Sequence, residues 1–411
     1  MRPVPGAPRK FEVLRRPGSR WYILGAALSM MADSVEHVLT YWVLWETFHS
    51  PLLVGFQIIS HWLPYLLFSV HAGALAERFD CRRIIQIAQV LFMLVSLTWG
   101  ILFLTGTLQL WQACVLLVVH GLAGCLWAPA EQMMLYDYAG PRELPSAVRI
   151  NATFRSLGFL LGPVVGSALL VLLGPTTGIL INVLFYVPLT LFLLRTKVTG
   201  HVRAGVVAGP RMSLVSAFKV LGTVRRNPLL VGMLALAALG AMTVGAVMQN
   251  AMPEFANLLG AGSAGLAYGV LLFANGIGGV VGGFLLEATG WVKPNARTAV
   301  LSAVVLGVST IVFAACGNYV LAVVALIVGG FARITAESTE MSIVQLAAPD
   351  AERGRVIGAY SMFGPGMMTF SGVTVGVLGS LVGIPGSVLV GGIVLAVGAL
   401  ATGLYLRGKR A

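Results

Sequence analysis

The chain has 411 residues, of which 57% are hydrophobic and 10% charged, with a formal net charge of +12. Soluble domains carry about 25% charged residues, so this composition excludes a water-soluble enzyme or binding module and points to an integral membrane protein. Nucleic acid is excluded as the reason for the positive charge: 25 of the 27 Lys and Arg lie before the first apolar span, after the last, or in connections that an even number of spans returns to one side, as the positive-inside rule requires.

Twelve stretches of about 20 mainly apolar residues follow one another, the length a helix needs to cross a bilayer. They are continuously apolar and not alternating, which predicts helices and not a barrel. Residues 1–20 hold six Lys or Arg and several Pro and Gly breaks and read as a cytoplasmic arm touching anionic lipid head groups. Span 1 (21–48) contains Met31-Ala32-Asp33-Ser34-Val35-Glu36-His37. An acid at a helix centre costs about 2.5–3.5 kcal/mol to insert, so buried ionisable groups normally face a cavity or a partner. Asp33 lies three residues before Glu36 and four before His37, which puts all three on one helical face. Span 2 (52–76) carries His61, Pro64 and His71, and Pro64 predicts a kink.

The next connection reads Gly73-Ala74-Leu75-Ala76-Glu77-Arg78-Phe79-Asp80-Cys81-Arg82-Arg83. It resembles the loop 2–3 signature of the major facilitator superfamily, Gly-x-Leu-Ala-Asp-Arg-x-Gly-Arg-Arg, keeping Gly73, Leu75, Ala76, Arg78 and Arg82 and substituting Glu77, Asp80 and Cys81. In that family the loop latches the two halves together on the cytoplasmic side, so the resemblance makes Gly73, Glu77, Arg78 and Arg82 gating residues rather than substrate ligands.

Span 3 (84–105) has no charge, and span 4 (110–134) has His120 and Glu131. These two are eleven residues apart, close to three helical turns, and share a face. A lone His in a span is more often a packing residue, which is the reading for His120, and Glu131 stands near a head-group boundary. Span 5 (151–173) contains Gly158-Phe159-Leu160-Leu161-Gly162-Pro163-Val164-Val165-Gly166-Ser167. This resembles the superfamily's antiporter motif, Gly-x-x-x-Gly-Pro-x-x-Gly-Gly, with Gly158, Gly162, Pro163 and Gly166 in place; small residues at this spacing let helix backbones approach. Arg155, one turn earlier, is an intramembrane cation expected to pair with Asp33 or Glu131.

Span 6 (177–194) is uncharged, and 195–228 hold seven Lys or Arg and no acid. The sequence then echoes itself: Glu131 and Glu337, and Gly162-Pro163 and Gly364-Pro365, recur about half a chain apart. Two parallel six-helix halves produce such an echo. Span 7 (229–252) offers Gln249 and Asn250, span 8 (266–286) is glycine-dense, and the loop after it lacks the signature seen after span 2. Span 10 (319–341) carries Arg333, Glu337 and Glu340 on one face. The loop 349–355 resembles the family's loop 10–11, and spans 11 (356–381) and 12 (387–406) are free of charge.

The expectation is an all-α membrane protein of twelve transmembrane helices in two pseudo-symmetric bundles, the major facilitator fold. Its parts are an arm (1–20), a first bundle (21–194), a basic linker (195–228), a second bundle (229–406) and a tail (407–411). The resemblance implies that spans 1, 4, 7 and 10 line a cavity, where Asp33, Glu36, His37, Glu131, Arg155, Arg333, Glu337 and Glu340 are the candidate proton-coupling residues. The whole chain resembles the branch that includes multidrug efflux proteins and an enterobactin exporter. On that resemblance it is a monomer in the inner (plasma) membrane of a bacterium, with both termini cytoplasmic, exchanging protons for a siderophore or drug-like compound. Divalent-metal export through Asp33, Glu36 and His37, as in ferroportin relatives, and lysophospholipid movement are the alternatives; a sensor or scaffold would need a larger soluble domain. The four cysteines have no metal or redox spacing, no nucleophile, metal or phosphate-binding motif is present, and neither cofactor nor resident metal is expected.

Overall fold

The structure is a computed structural model that describes residues 10–201, 217–245, 247–260, 266–290, 292–371 and 377–409. The start of the arm, residues 202–216 of the central linker and the side chains of Gln249 and Asn250 therefore lie outside the described residues. Those described fold into helices: α1 (Pro17–Phe48), α2 (Pro51–Arg78), α3 (Cys81–Thr105), α4 (Leu110–Arg195), α5 (Val220–Arg226), α6 (Pro228–Thr243), α7 (Val247–Leu258), α8 (Leu266–Thr289), α9 (Ala296–Ala315), α10 (Tyr319–Ala347), α11 (Arg353–Phe363) and α12 (Gly379–Gly408).

Local sequence explains where these helices begin and turn. Pro17, Pro51 and Pro228 occupy the first turn of α1, α2 and α6, where a missing N–H is not needed. Side chains of Ser50, Asp80, Asn227, Asn295 and Asn318 accept the orphan N–H groups of α2, α3, α6, α9 and α10. The 86 residues of α4 are one helical run only nominally. Gly140 and Gly174 take φ of 71° and 77° inside it, a left-handed conformation that glycine adopts without strain, and each is followed by a proline. Those two reversals divide α4 into three segments that hold spans 4, 5 and 6. The helices at the first reversal run up to it from both sides, so the structured part of spans 4 and 5 extends beyond the apolar stretches.

Among the described residues six helices are long and apolar enough to cross a membrane, or seven if the bent pair α5–α6 counts as one. α1 is not among them, its apolar run being interrupted by Asp33, Glu36 and His37. Of four hydrophobic clusters among the described residues, the two largest organise the two halves. One runs from Val13 to Leu193 and includes Ile357 of α11; the other runs from Ala217 to Leu406 and includes Val70 of α2. Each half thus keeps its own core and takes one residue from the other half at the α2–α11 crossing. Large apolar side chains on α3, α9 and α12, such as Leu104, Leu301 and Leu404, remain exposed, as lipid-facing helices require.

The halves are joined at the end of the bundle that carries the basic residues. Gly73 of α2 and Gly354 of α11 meet backbone to backbone, with no room for a side chain on either. Beside them Glu77 accepts hydrogen bonds from the Arg355 backbone N–H at 2.7 Å and its Nε at 2.8 Å. A second ion pair lies half a chain away in both partners: Glu287 at the end of α8 accepts from Arg149 of α4 at 3.2 Å and from Ser146 Oγ at 2.6 Å. Glu287 also accepts the Phe11 backbone N–H at 3.2 Å. The guanidinium of Arg353 lies 3.7 Å over the Tyr136 ring, and Gln345 donates to Gln132 at 2.8 Å.

Candidate functional site

The ionisable face of α1 does look at partners, and they come from α2, α3 and the first segment of α4. His120 stands between the two acids, with Nε2 2.7 Å from Asp33 Oδ1 and Nδ1 2.8 Å from Glu36 Oε1. All three side chains are buried. A carboxylate without a proton only accepts, so both contacts are satisfied when His120 carries a proton on each nitrogen, or when one carboxyl holds that proton. In either case one proton lies among the three groups.

The surroundings fix this arrangement. Ser96 of α3 donates to Glu36 Oε2, leaving Oε1 for His120. Phe92 packs its ring edge-on against His120, with centroids 4.9 Å apart, and stacks on Tyr186 at 5.4 Å. On the other side His37 Nδ1 is 3.6 Å from Asp33 Oδ2. The rings of His37, His61 and His120 then form a triangle with centroids 4.9, 5.1 and 5.6 Å apart, continued by Tyr41 and Trp62.

The small-residue motif of span 5 sets how closely this cluster is held. A side chain at Gly158 would run into the Ala27 carbonyl, one at Gly162 into Ser34, and one at Gly166 into Val38, 3.0 Å away. The second segment of α4 therefore lies in contact with α1 over three turns, the middle one carrying Asp33 and Glu36. Close approach of small residues gives van der Waals contact that a lipid-facing surface would not supply.

The remaining intramembrane charges form separate groups. Arg155 pairs with Glu131, one of its two expected partners, and also contacts Met30 Sδ at 3.4 Å and the Trp127 ring at 5.1 Å. Asn151 donates to the other Glu131 oxygen at 3.1 Å. In α10, Arg333 and Glu337 pair one turn apart at 3.4 Å, whereas Glu340 is buried and accepts from Tyr360 Oη at 3.0 Å. The expected single face of α10 thus divides between an accessible pair and a buried carboxyl.

The loop 2–3 residues also divide. Glu77 crosses between halves, as described, while Arg82 stays within the first half, held by Asp80 at 2.6 Å and by the Thr196 carbonyl. Arg78 is half-buried, its guanidinium 5.0 Å over Phe79.

Several residues of the candidate site and of the joined end were not found by reading spans singly. His120 reads as packing because its acids are 84 and 87 residues away in sequence. His61 and Ser96 carry no signal of their own. Glu287 was detectable: it is the one acid at the end of α8, as Glu77 is near the end of α2, although no signature surrounds it.

Residues 22–372 match the family model described as Major Facilitator Superfamily. The staphyloferrin A transporter of Staphylococcus aureus is 21% identical over 349 residues, covering 84% of this chain and 85% of that protein. Among solved structures, the Escherichia coli fucose:proton symporter superposes with a TM-score of 0.71 at 15% identity, over 95% of this chain and 99% of that one. A bacterial homologue of the iron transporter ferroportin, in its outward-facing state, gives 0.70 at 15% identity with the same coverage. The human organic anion transporter gives 0.71 at 13% identity, over 94% of this chain and all of the other. A helical chain in two bundles, with the Asp33–His120–Glu36 cluster buried in the first, belongs to the major facilitator superfamily and is a multi-pass membrane transport protein.

Proposed function

We propose that this protein is a proton-coupled antiporter of the bacterial inner membrane that exports a small amphipathic compound, a siderophore or a drug-like molecule, by alternating access. The observation that carries the reading is the Asp33–His120–Glu36 triad. Its shared proton is held by two carboxylates and an imidazole beside the partly buried rings of Tyr41, His61 and Trp62. A carboxylate held in low dielectric and next to a cation changes its proton affinity when water reaches it. Opening the cavity to one side then releases the proton, and opening it to the other reloads it. Small-residue packing of α4 against α1 keeps the triad in register while the halves, 21–194 and 229–406, rock about it on the linker 195–228.

The antiporter motif and the staphyloferrin A transporter's likeness over most of both chains support export of a siderophore-class compound. The basic end, read as cytoplasmic with both termini, is held shut in this conformation by Glu77–Arg355 and Arg149–Glu287. The protein acts as a lipid-embedded monomer and as a carrier, not an enzyme.

The spent medium of the native host, grown iron-poor and iron-rich with and without the gene, tests the substrate by mass spectrometry. Loss of an iron chelator from the deletion strain's medium is expected; an unchanged medium in both conditions overturns siderophore export. For the coupling, Asp33→Asn in vesicles under an imposed pH gradient abolishes the gradient's effect on transport. Transport with unaltered rate and pH profile in that variant would remove the proton role.

A further inference from the structure

The triad accounts for His120 but leaves His37 and His61 without a task. His37, His61 and His120 come from three different helices, yet each places a ring nitrogen within 4.8 Å of the other two. Three imidazoles gathered in a membrane interior are costly if they serve only to fill space, because each carries a polar nitrogen that must be satisfied. One is not: His61 Nδ1 is buried with no hydrogen-bond partner.

We propose that His37, His61 and His120, with the Asp33 carboxylate, bind one divalent transition-metal ion. The donor set is three nitrogens and one carboxylate oxygen, and both Asp33 oxygens lie beside the imidazoles. Asp33 Oδ2 lies 3.6 Å from His37 Nδ1 and Oδ1 lies 2.7 Å from His120 Nε2. A tetrahedral ion with ligands about 2.0–2.1 Å away separates its nitrogens by about 3.4 Å. Drawing the nitrogens together by about 1.4 Å from the present 4.8 Å limit reaches that geometry.

The site also has the outer support such an ion needs. Ligating imidazoles donate their other N–H to a carboxylate or carbonyl, which fixes tautomer and ring plane. For His120 that partner is Glu36, 2.8 Å from Nδ1, and Glu36 is in turn held by Ser96. With Nδ1–H committed to Glu36, the Nε2 lone pair turns to the ion in place of its contact with Asp33, and Asp33 follows as a ligand. The same carboxylate offsets part of the ion's charge in the bilayer interior.

Donor chemistry selects the class of ion. Imidazole suits zinc, iron, nickel and copper, whereas magnesium and calcium want oxygen sets. Three imidazoles and a single carboxylate therefore favour a zinc-like or ferrous-like ion over a hard one. The ion competes with the proton held by Asp33 and His120 and releases it on binding, but binding is read without transport: siderophore export can fail while the ion binds, and the reverse.

The test uses the full-length protein purified in detergent. Co2+ titration followed by visible absorption, with Zn2+ calorimetry alongside, is expected to give one ion per chain and a d–d band of nitrogen and oxygen ligation. Mg2+ is expected to give neither. His61→Ala and His37→Ala each weaken binding by at least about tenfold, and Glu36→Gln, which removes only the outer support, by about 10- to 100-fold. Glu254→Gln, exposed in the other half, leaves it unchanged. Size-exclusion and thermal-melt profiles of the ion-free variants establish that they fold, and if His61→Ala does not, His37→Ala and Glu36→Gln decide. No stoichiometric ion in the wild type, or affinity retained in the folded His variants, overturns the site.

Discussion

The first bundle buries Glu131 in its ion pair, whereas the second leaves the matching Glu337 accessible. Glu131 has no exposed side-chain surface and binds Arg155 from the next segment of α4, with Asn151 on its second oxygen. Its echo half a chain later, Glu337, is 46% exposed and reaches only Arg333, one turn back on its own helix. The two bundles share packing and topology, so the difference shows that a repeat can preserve helix positions while its charge network changes completely. Removing one member of a buried pair leaves the other uncompensated, at about 3–5 kcal/mol. Because Arg155 is 29% exposed, the expected loss for Glu131→Gln lies at the lower end, about 3 kcal/mol, read from unfolding in detergent. The double variant Glu131→Gln with Arg155→Met should recover part of it. No loss in the single variant would break the comparison at its strongest point.

At the basic end the halves behave alike, and this sharpens the contrast. Glu77–Arg355 and Glu287–Arg149 each tie the end of one helix to the start of a helix in the other bundle. Hydrogen bonds to charged groups contribute about 1.5–3 kcal/mol, so Glu77→Gln and Glu287→Gln should each weaken the joined state by about 2 kcal/mol. Hydrogen exchange at the start of α11 and of the second segment of α4 measures it. Comparable gains in exchange would support two equivalent latches. An effect from Glu77→Gln alone would mean that symmetry in position does not extend to energetics.

Much of the fold is legible in the sequence because bilayer physics writes it there. Long apolar runs, Gly-Pro reversals and the placement of Lys and Arg are local signals, and so is the small-residue motif that seats Gly158, Gly162 and Gly166 on α1. The site is legible only on one helix. Asp33, Glu36 and His37 announce themselves by cost, but their partners do not, since a His in an apolar span looks the same whether it packs or bridges two acids. Glu287 shows the opposite failure, being a chemically plain residue whose role follows from the repeat and not from a motif. Glu340 shows a third: sharing a helical face with Glu337 does not place it in the same environment, because α11 brings Tyr360 over it and not over Glu337.

The smallest expected effect is the one most able to correct this picture. Exposed ion pairs contribute about 0.2–1 kcal/mol and pairs one turn apart on a helix about 0.3–0.5, so Glu337→Gln should cost no more than about 0.5 kcal/mol in the same unfolding assay. Arg333 is not fully satisfied even with its partner, since its Nε is buried without a hydrogen bond; loss of Glu337 therefore removes little that holds it. A double-mutant cycle with Arg333→Met isolates the pair. A coupling as large as that of Glu131 and Arg155 would show that Glu337 is shielded in the working protein and that both halves carry an equivalent buried pair. A coupling near zero would leave Arg333 and Glu337 as cavity-facing charges held ready for something that enters.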